Sequence, residues 1–248
     1  MSRLDEQAET GTGGLGLDLT RRLAAEALGS CFLLVAVIGS GIMASRLSPD
    51  DIGLQLLENA AATAGALVGL ILMFGAVSGA HFNPVVTLVD RSFRSISTRD
   101  TGLYITAQIA GACAGTILAN IMFELPAVEL STNTRSSPAL WLSEVVATVG
   151  LLLVIHGCVR GGRASVVAFA VAAWIGGAYW FTSSTSFANP AVTIARTLSD
   201  TFAGIRPSSA PAFIVSQLIG ALIALGLIRL FYPHPMSTPT TRTTKDTT

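Results

Sequence analysis

The sequence predicts an all-α membrane protein. It should have six transmembrane helices plus two re-entrant half-helices, arranged as inverted three-helix repeats around a central pore. Three observations predict this. The chain has 248 residues, 51% hydrophobic and 12% charged, where an ordinary soluble domain is about 25% charged. Its mean hydropathy is +0.62. Six apolar runs are long enough to span a bilayer, which takes about 20 residues at about 1.5 Å each. Finally, a short set of polar and proline-containing motifs occurs twice in the same order. The composition excludes a disordered chain, a basic-patch nucleic-acid binder and a typical cytosolic enzyme. The formal net charge is zero, so no global steering of a charged partner is implied.

In chain order, residues 1–20 read as a flexible cytoplasmic tail. Gly11, Gly13 and Gly16 match GxGxxG, but no strand precedes them, so they read as linker and not as a dinucleotide loop. No cleavable signal peptide is evident in this stretch. The apolar runs follow at about Leu23–Ser45, Leu54–Val77, Thr101–Phe123, Ala139–Val159, Ala164–Ser183 and Ala210–Phe231. They define one domain, 21–232, with a first repeat at about 21–123 and a second at about 139–232. The Pro/Thr-rich segment 233–248 reads as a disordered tail. With both termini in the cytoplasm, eleven Arg and Lys lie inside and four outside (Arg46, Arg135, Arg196 and Arg206). This is a positive-inside bias, sharpest at Arg160-Gly161-Gly162-Arg163.

The repeat lies in the polar residues. Glu26 opens the first run and Glu144 the fourth. Asn83-Pro84-Val85-Val86-Thr87 follows the second and Asn189-Pro190-Ala191-Val192-Thr193 the fifth. Gln108 and Gln217 sit in the third and sixth. Each half has three spans, an odd number, so the second half must be inverted relative to the first. Proline is favoured at the first helical position and Asn is a good N-cap. The segments Pro84–Phe93 and Pro190–Ser199 therefore predict half-helices of about 15 Å. They should enter from opposite faces and meet N-terminus to N-terminus at the midplane. Non-helical backbone is tolerated there only where it lines a cavity or is buried in protein. An intramembrane carboxylate must have partners, so Glu26 and Glu144 are the natural acceptors for the amides of the two entering loops.

With these residues in view, the chain resembles the aquaporin, or major intrinsic protein, family. The resemblance is carried by Ser78-Gly79-Ala80-His81-Phe82-Asn83-Pro84-Val85-Val86-Thr87, Phe187-Ala188-Asn189-Pro190-Ala191, the two Glu and the helix order. It implies a homotetramer in the plasma membrane, each subunit with its own pore for small neutral solutes and with no cofactor. The central constriction would be Asn83, Pro84, Val85, Asn189, Pro190 and Ala191. Val85 departs from the usual Ala. The resemblance also implies a selectivity filter, which spacing from the two Asn places at Thr63, Gly177, Ser186 and Val192. Most relatives carry Arg at the last position. Here the nearest, Arg196, either pairs with Asp200 at i, i+4 or acts as a displaced pore arginine. The wide, uncharged filter and the run from Ser186 to Arg196 resemble channels of bacterial arsenic-resistance gene clusters. That likeness implies trivalent metalloid hydroxides as solutes, with glycerol and water also permeant. An ordinary glycerol and water channel is the alternative, and an ion-coupled transporter a remoter one.

The remaining polar residues have plainer readings. His81 is expected to serve the entering loop by hydrogen bonding or to line the vestibule, with a pH gate as the alternative, and His156 to be a satisfied core histidine. Trp174, Tyr179 and Trp180 suit an interfacial belt, and Thr134 and Arg135 a solvated loop. Cys31, Cys113 and Cys158 match no metal or disulfide spacing. The small residues Ala107, Gly111, Gly115 and Ser216, Gly220, Ala224 suggest close helix packing. No nucleophile–base pair or metal cluster is visible, so no enzyme is expected, and the partners implied are membrane lipids and solutes, with no nucleic acid.

Overall fold

The computed structural model describes residues 5–233, with side chains from Asp18 onward. Nearly all of the segment expected to be a C-terminal tail, 233–248, lies outside the described residues. The described chain holds eight α-helices: α1 (Asp5–Leu47), α2 (Ile52–Ser78), α3 (Pro84–Ser92), α4 (Thr98–Met122), α5 (Pro138–Arg160), α6 (Val167–Phe181), α7 (Pro190–Ala195) and α8 (Ala210–Phe231). A 3-10 turn, Ala164–Val166, leads into α6, and another, Arg196–Leu198, continues α7.

Six of these helical stretches are long and apolar enough to cross a membrane: Asp18–Leu47, Ile52–Ser78, Thr98–Met122, Pro138–Arg160, Ala164–Phe181 and Ala210–Phe231. The helix α1 begins at Asp5, ahead of its apolar run, where the sequence reads as loose linker. An apolar run marks the buried part of a helix, and extending an existing helix costs far less than nucleating one. The Gly-rich segment is therefore helical backbone, which no phosphate-binding turn could be.

The packing follows the duplication. In the first half α1 packs on α2 and α4; in the second α5 packs on α6 and α8. Each half-helix packs on the third helix of both halves: α3 on α4 and α8, α7 on α8 and α4. The closest approaches are made at glycine. A Cβ at Gly111 or Gly115 would collide with the Ala27 or Cys31 carbonyl of α1, so α1 and α4 cross backbone to backbone. The corresponding Gly220 of α8 has more room; a Cβ there would lie 2.9 Å from Thr148 and the Val145 carbonyl.

Helix starts are set by local chemistry. Asp51, Ser97 and Ser137 cap α2, α4 and α5 by accepting from Leu54, Asp100 and Leu140 backbone N–H groups. The half-helices begin as their Asn-Pro pairs predict. Asn83 accepts from Val85 N at 3.0 Å and Asn189 from Ala191 N at 3.0 Å, each with proline at the first helical position.

Candidate functional site

The two half-helices meet at their N-termini, and the meeting is reciprocal. Asn83 Nδ2 donates to the Ala188 carbonyl at 2.8 Å, and Asn189 Nδ2 to the Phe82 carbonyl at 2.8 Å. Each side-chain oxygen caps its own helix. Each NH2 group has two hydrogens, so one is fixed across the joint and the second is left for whatever occupies the space beside it. Both Asn line a cavity of about 790 Å³. Pro84, Val85, Pro190 and Ala191 do not line it. Val85 is fully buried among Val86, Leu152, Ala221 and Ile228, and Ala191 lies in the larger apolar core. The Val that departs from the usual motif is thus a packing residue between α3, α5 and α8.

The loops before the half-helices have left-handed residues at the same two places, three and one before the Asn: Ala80 (φ 50) and Phe82 (φ 47), Ser186 (φ 52) and Ala188 (φ 48). Non-glycine residues there are strained by roughly 1 kcal/mol or more each. The buried carboxylates offset this. Glu26 accepts from Ser78 Oγ (2.6 Å), His81 N (3.0 Å), Phe82 N (2.8 Å) and Gln108 Nε2 (2.8 Å). Glu144 accepts from Phe187 N (2.9 Å), Ala188 N (2.9 Å) and Gln217 Nε2 (2.7 Å). Each Gln also donates to a threonine hydroxyl, Thr87 or Thr193, at 2.9 Å, and that hydroxyl donates to the carbonyl of Asn83 or Asn189. A chain of Glu, Gln, Thr and Asn therefore fixes each constriction asparagine. An unpaired amide in hydrocarbon costs several kcal/mol, so the network is what allows extended backbone at this depth.

On the α7 side, Thr63, Ser186 and Val192 line the cavity, and Gly177 does not. A Cβ at Gly177 would lie 3.4 Å from the Phe181 ring, so the glycine faces its own helix neighbour. Tyr179 lines the cavity instead. Its hydroxyl is 3.2 Å from Thr63 Oγ1. Ser186 Oγ is buried and has no hydrogen-bond partner in the described chain. This end of the cavity carries the hydroxyls of Thr63 and Tyr179 beside the apolar Val192.

Three sequence expectations are corrected here. Arg196 does not pair with Asp200, whose carboxylate is taken by Thr132 N (2.8 Å), Thr132 Oγ1 and Ser131 Oγ. The 3-10 turn after Ala195 changes the register that an i, i+4 pair needs. Arg196 instead lines the cavity, donates Nε to the Ala203 carbonyl and stacks 3.4 Å from the Phe187 ring centre. Arg135 is half-buried and not free in solvent: it donates to the Gly204 (2.9 Å) and Phe202 (3.2 Å) carbonyls, and its guanidinium lies 5.4 Å from the same Phe187 ring centre. Of the three expected belt residues only Trp180 is exposed. Tyr179 turns inward, and Trp174 fills the space left by Gly150 and donates to the Ala147 carbonyl at 3.0 Å.

On the α3 side, His81 Nε2 lies 2.9 Å from Asp90 Oδ2 and its Nδ1 3.0 Å from Thr87 Oγ1. His156 is a fourth correction. It lines the cavity, but its buried Nε2 has no hydrogen-bond partner and stands 3.6 Å from Asp90 Oδ1. The cluster forms because α3 carries an acid where α5 presents an imidazole.

Sequence reasoning missed Tyr179, Asp90 and the threonine relays. Thr87 and Thr193 were visible as matching positions in the repeat, but no spacing says that they bridge Gln to Asn. The pair Asp90 and Arg196 carried a readable signal: each lies seven residues after its Asn.

The major intrinsic protein family model matches residues 16–179 and 159–248. The chain is 50% identical over 212 residues to the aquaglyceroporin AqpS of Rhizobium meliloti (strain 1021), covering 86% of this chain and 90% of that one. It is 26% identical to the probable aquaporin AqpM of Archaeoglobus fulgidus over 85% of this chain and 96% of that one. The fold matches the X-ray structure of the aquaglyceroporin from Plasmodium falciparum with a TM-score of 0.63 at 21% identity, over 86% of this chain and 99% of that one. With six spans, two half-helices joined at paired asparagines and a family match over nearly the whole chain, this protein belongs to the major intrinsic protein family of membrane channels.

Proposed function

We propose that the protein is a passive channel for small neutral solutes, and that trivalent metalloid hydroxides such as arsenous acid pass together with glycerol and water. One observation carries the reading: a continuous cavity passes both constriction asparagines and then a filter region of hydroxyls and one valine. The spare N–H groups of Asn83 and Asn189 can hydrogen-bond a hydroxyl in transit. A cation at the same point meets two helix N-termini and no compensating acid, so it cannot regain its lost hydration. A compact trihydroxy molecule fits the hydroxyls of Thr63 and Tyr179, and Val192 leaves open the place where most relatives carry an arginine. The likeness to a named aquaglyceroporin supports glycerol and water as solutes. The metalloid reading rests on the filter and on the sequence likeness to arsenic-cluster channels.

The positive-inside bias supports both termini on the cytoplasmic side. The α3 mouth is then the inner one and the α7 mouth the outer. The family resemblance supports a homotetramer in the plasma membrane with four separate pores. Glu26 and Glu144 act as loop supports. The test is stopped-flow flux into proteoliposomes for water, glycerol and arsenous acid, beside Val192→Arg. Fast arsenous acid flux that Val192→Arg abolishes supports the open filter. Fast water without glycerol or arsenous acid leaves a water channel and removes the substrate assignment. Saturable, proton-coupled flux would overturn the passive reading.

A further inference from the structure

Arg196 is the most deeply buried arginine beside the cavity, 2% exposed, and among the described residues it forms no ion pair. Among the described residues no carboxylate lies within 4.0 Å of its guanidinium, since the ion pairs found are those of Arg22, His81 and His156. Its Nε is fixed to the Ala203 carbonyl and its plane is held on Phe187. Its two Nη groups make no hydrogen bond to the described chain, and the residue lines the cavity. A second guanidinium, that of Arg135, shares the same ring. At the equivalent place in the inverted repeat, seven residues after Asn83, stands Asp90.

A buried, immobile guanidinium with free donors is a solute-reading group. It offers hydrogen bonds only as a donor, so it selects for oxygen acceptors. Its charge acts through low-dielectric surroundings, where a passing cation is repelled far more strongly than in water. Position 192, four residues earlier, is apolar and can do neither.

We propose that Arg196 is a specificity-determining residue of the outer half of the pore. Its Nη groups hydrogen-bond the oxygens of the neutral solute, and its charge excludes cations that the inner Asp90 would attract. The proposal rests on the channel reading above. It makes the two mouths unlike: an acid cluster inside and a buried cation outside.

A merely structural role for Arg196, pinning the segment 196–205 through Ala203, would act on folding alone. The test therefore reads selectivity as ratios. Arg196→Gln, Arg196→Lys and Phe187→Leu are reconstituted, and glycerol-to-water and arsenous acid-to-water flux ratios are measured with potassium leak. Size-exclusion profiles and melting are recorded for each. Arg196→Gln is expected to shift both ratios and to raise potassium leak, the rise being limited by the central barrier at the two asparagines, which the variant leaves intact. Arg196→Lys should keep the leak low, because it keeps the charge, while the ratios shift, because the planar fork is lost. Phe187→Leu, which keeps the arginine and frees its plane, should shift the ratios and leave the leak low. A folded Arg196→Gln with wild-type ratios and wild-type leak overturns the proposal. If Arg196→Gln does not fold, unchanged ratios in both Arg196→Lys and Phe187→Leu overturn it. A wild-type protein that passes no neutral solute instead removes the channel reading, a result separate from either.

Discussion

The two half-helices share one skeleton and differ in nearly everything they present to the cavity. The skeleton is the carboxylate, two loop amides, Gln, Thr and Asn, and it recurs with hydrogen bonds that match to within 0.2 Å at most equivalent positions. What differs is the surrounding side chains. His81 stands opposite Phe187 in the alignment of the halves, Phe82 opposite Ala188, and Asp90 opposite Arg196. The first half-helix has nine α-helical residues; the second has six and then a three-residue 3-10 turn. Phe82 wedges its ring between Gly29 of α1 and Phe74 of α2, a fit that Ala188 does not attempt. The lesson is that both loops must solve the same hydrogen-bonding problem, which has one economical answer, while the two mouths are free to diverge because side chains facing a cavity are not constrained by it.

This comparison can be broken at several depths. The largest effect is expected at the carboxylates. Glu26→Ala orphans four donors and Glu144→Ala three, at about 1–3 kcal/mol per buried group. Both variants should melt far below the wild type in mild detergent, and Glu26→Ala should have the lower melting temperature. Equal, small losses would mean that the loops hold themselves.

A smaller effect is expected where helices cross. Gly111→Ala drives a methyl into the α1 backbone, while Gly220→Ala meets a threonine side chain and a more distant carbonyl. The first should cost about 1–3 kcal/mol by overpacking and the second less, read as the order of melting temperatures. The reverse order would show that α5 and α8, and not α1 and α4, make the tighter crossing.

Next come the relays. Thr87→Val and Thr193→Val each strand a Gln N–H, while the Asn carbonyl keeps the backbone N–H of the same residue, and should each cost roughly 1–2 kcal/mol. Thr87→Val should cost slightly more, because His81 Nδ1 also loses its partner. Identical melting curves would show that the imidazole contact contributes nothing.

The smallest effect is expected at the inner mouth. Asp90→Asn weakens a partly exposed pair with His81, worth about 1 kcal/mol or less after solvent screening. Melting should shift only slightly and neutral-solute flux should stay within about two-fold. A change in selectivity as large as that expected of Arg196→Gln would contradict the assignment of selectivity to the outer half.

Much of this was legible before the structure, and the illegible parts are informative. The filter position on the fifth span was counted back from Asn189, across a loop whose path the sequence does not give. Gly177 and Tyr179 are two residues apart, about 200° around a helix, so a small slack in that loop exchanges a wall residue for its opposite face. The ring of Trp174 seated on Gly150 sets that rotation. Similarly, Arg196 and Asp200 are spaced for a pair only if α7 stays α-helical, and it tightens first.

The sequence by itself determined the spans, the inverted duplication and where each half-helix starts. These follow from hydropathy, from the parity of three spans and from Asn-Pro chemistry, all of which act within a few residues along the chain. Tertiary structure alone decided which side chains meet in the cavity: Tyr179 with Thr63, Arg196 with Phe187, and His156 with Asp90. Those meetings depend on how each helix is turned about its axis, and that is fixed by packing between segments far apart in the chain.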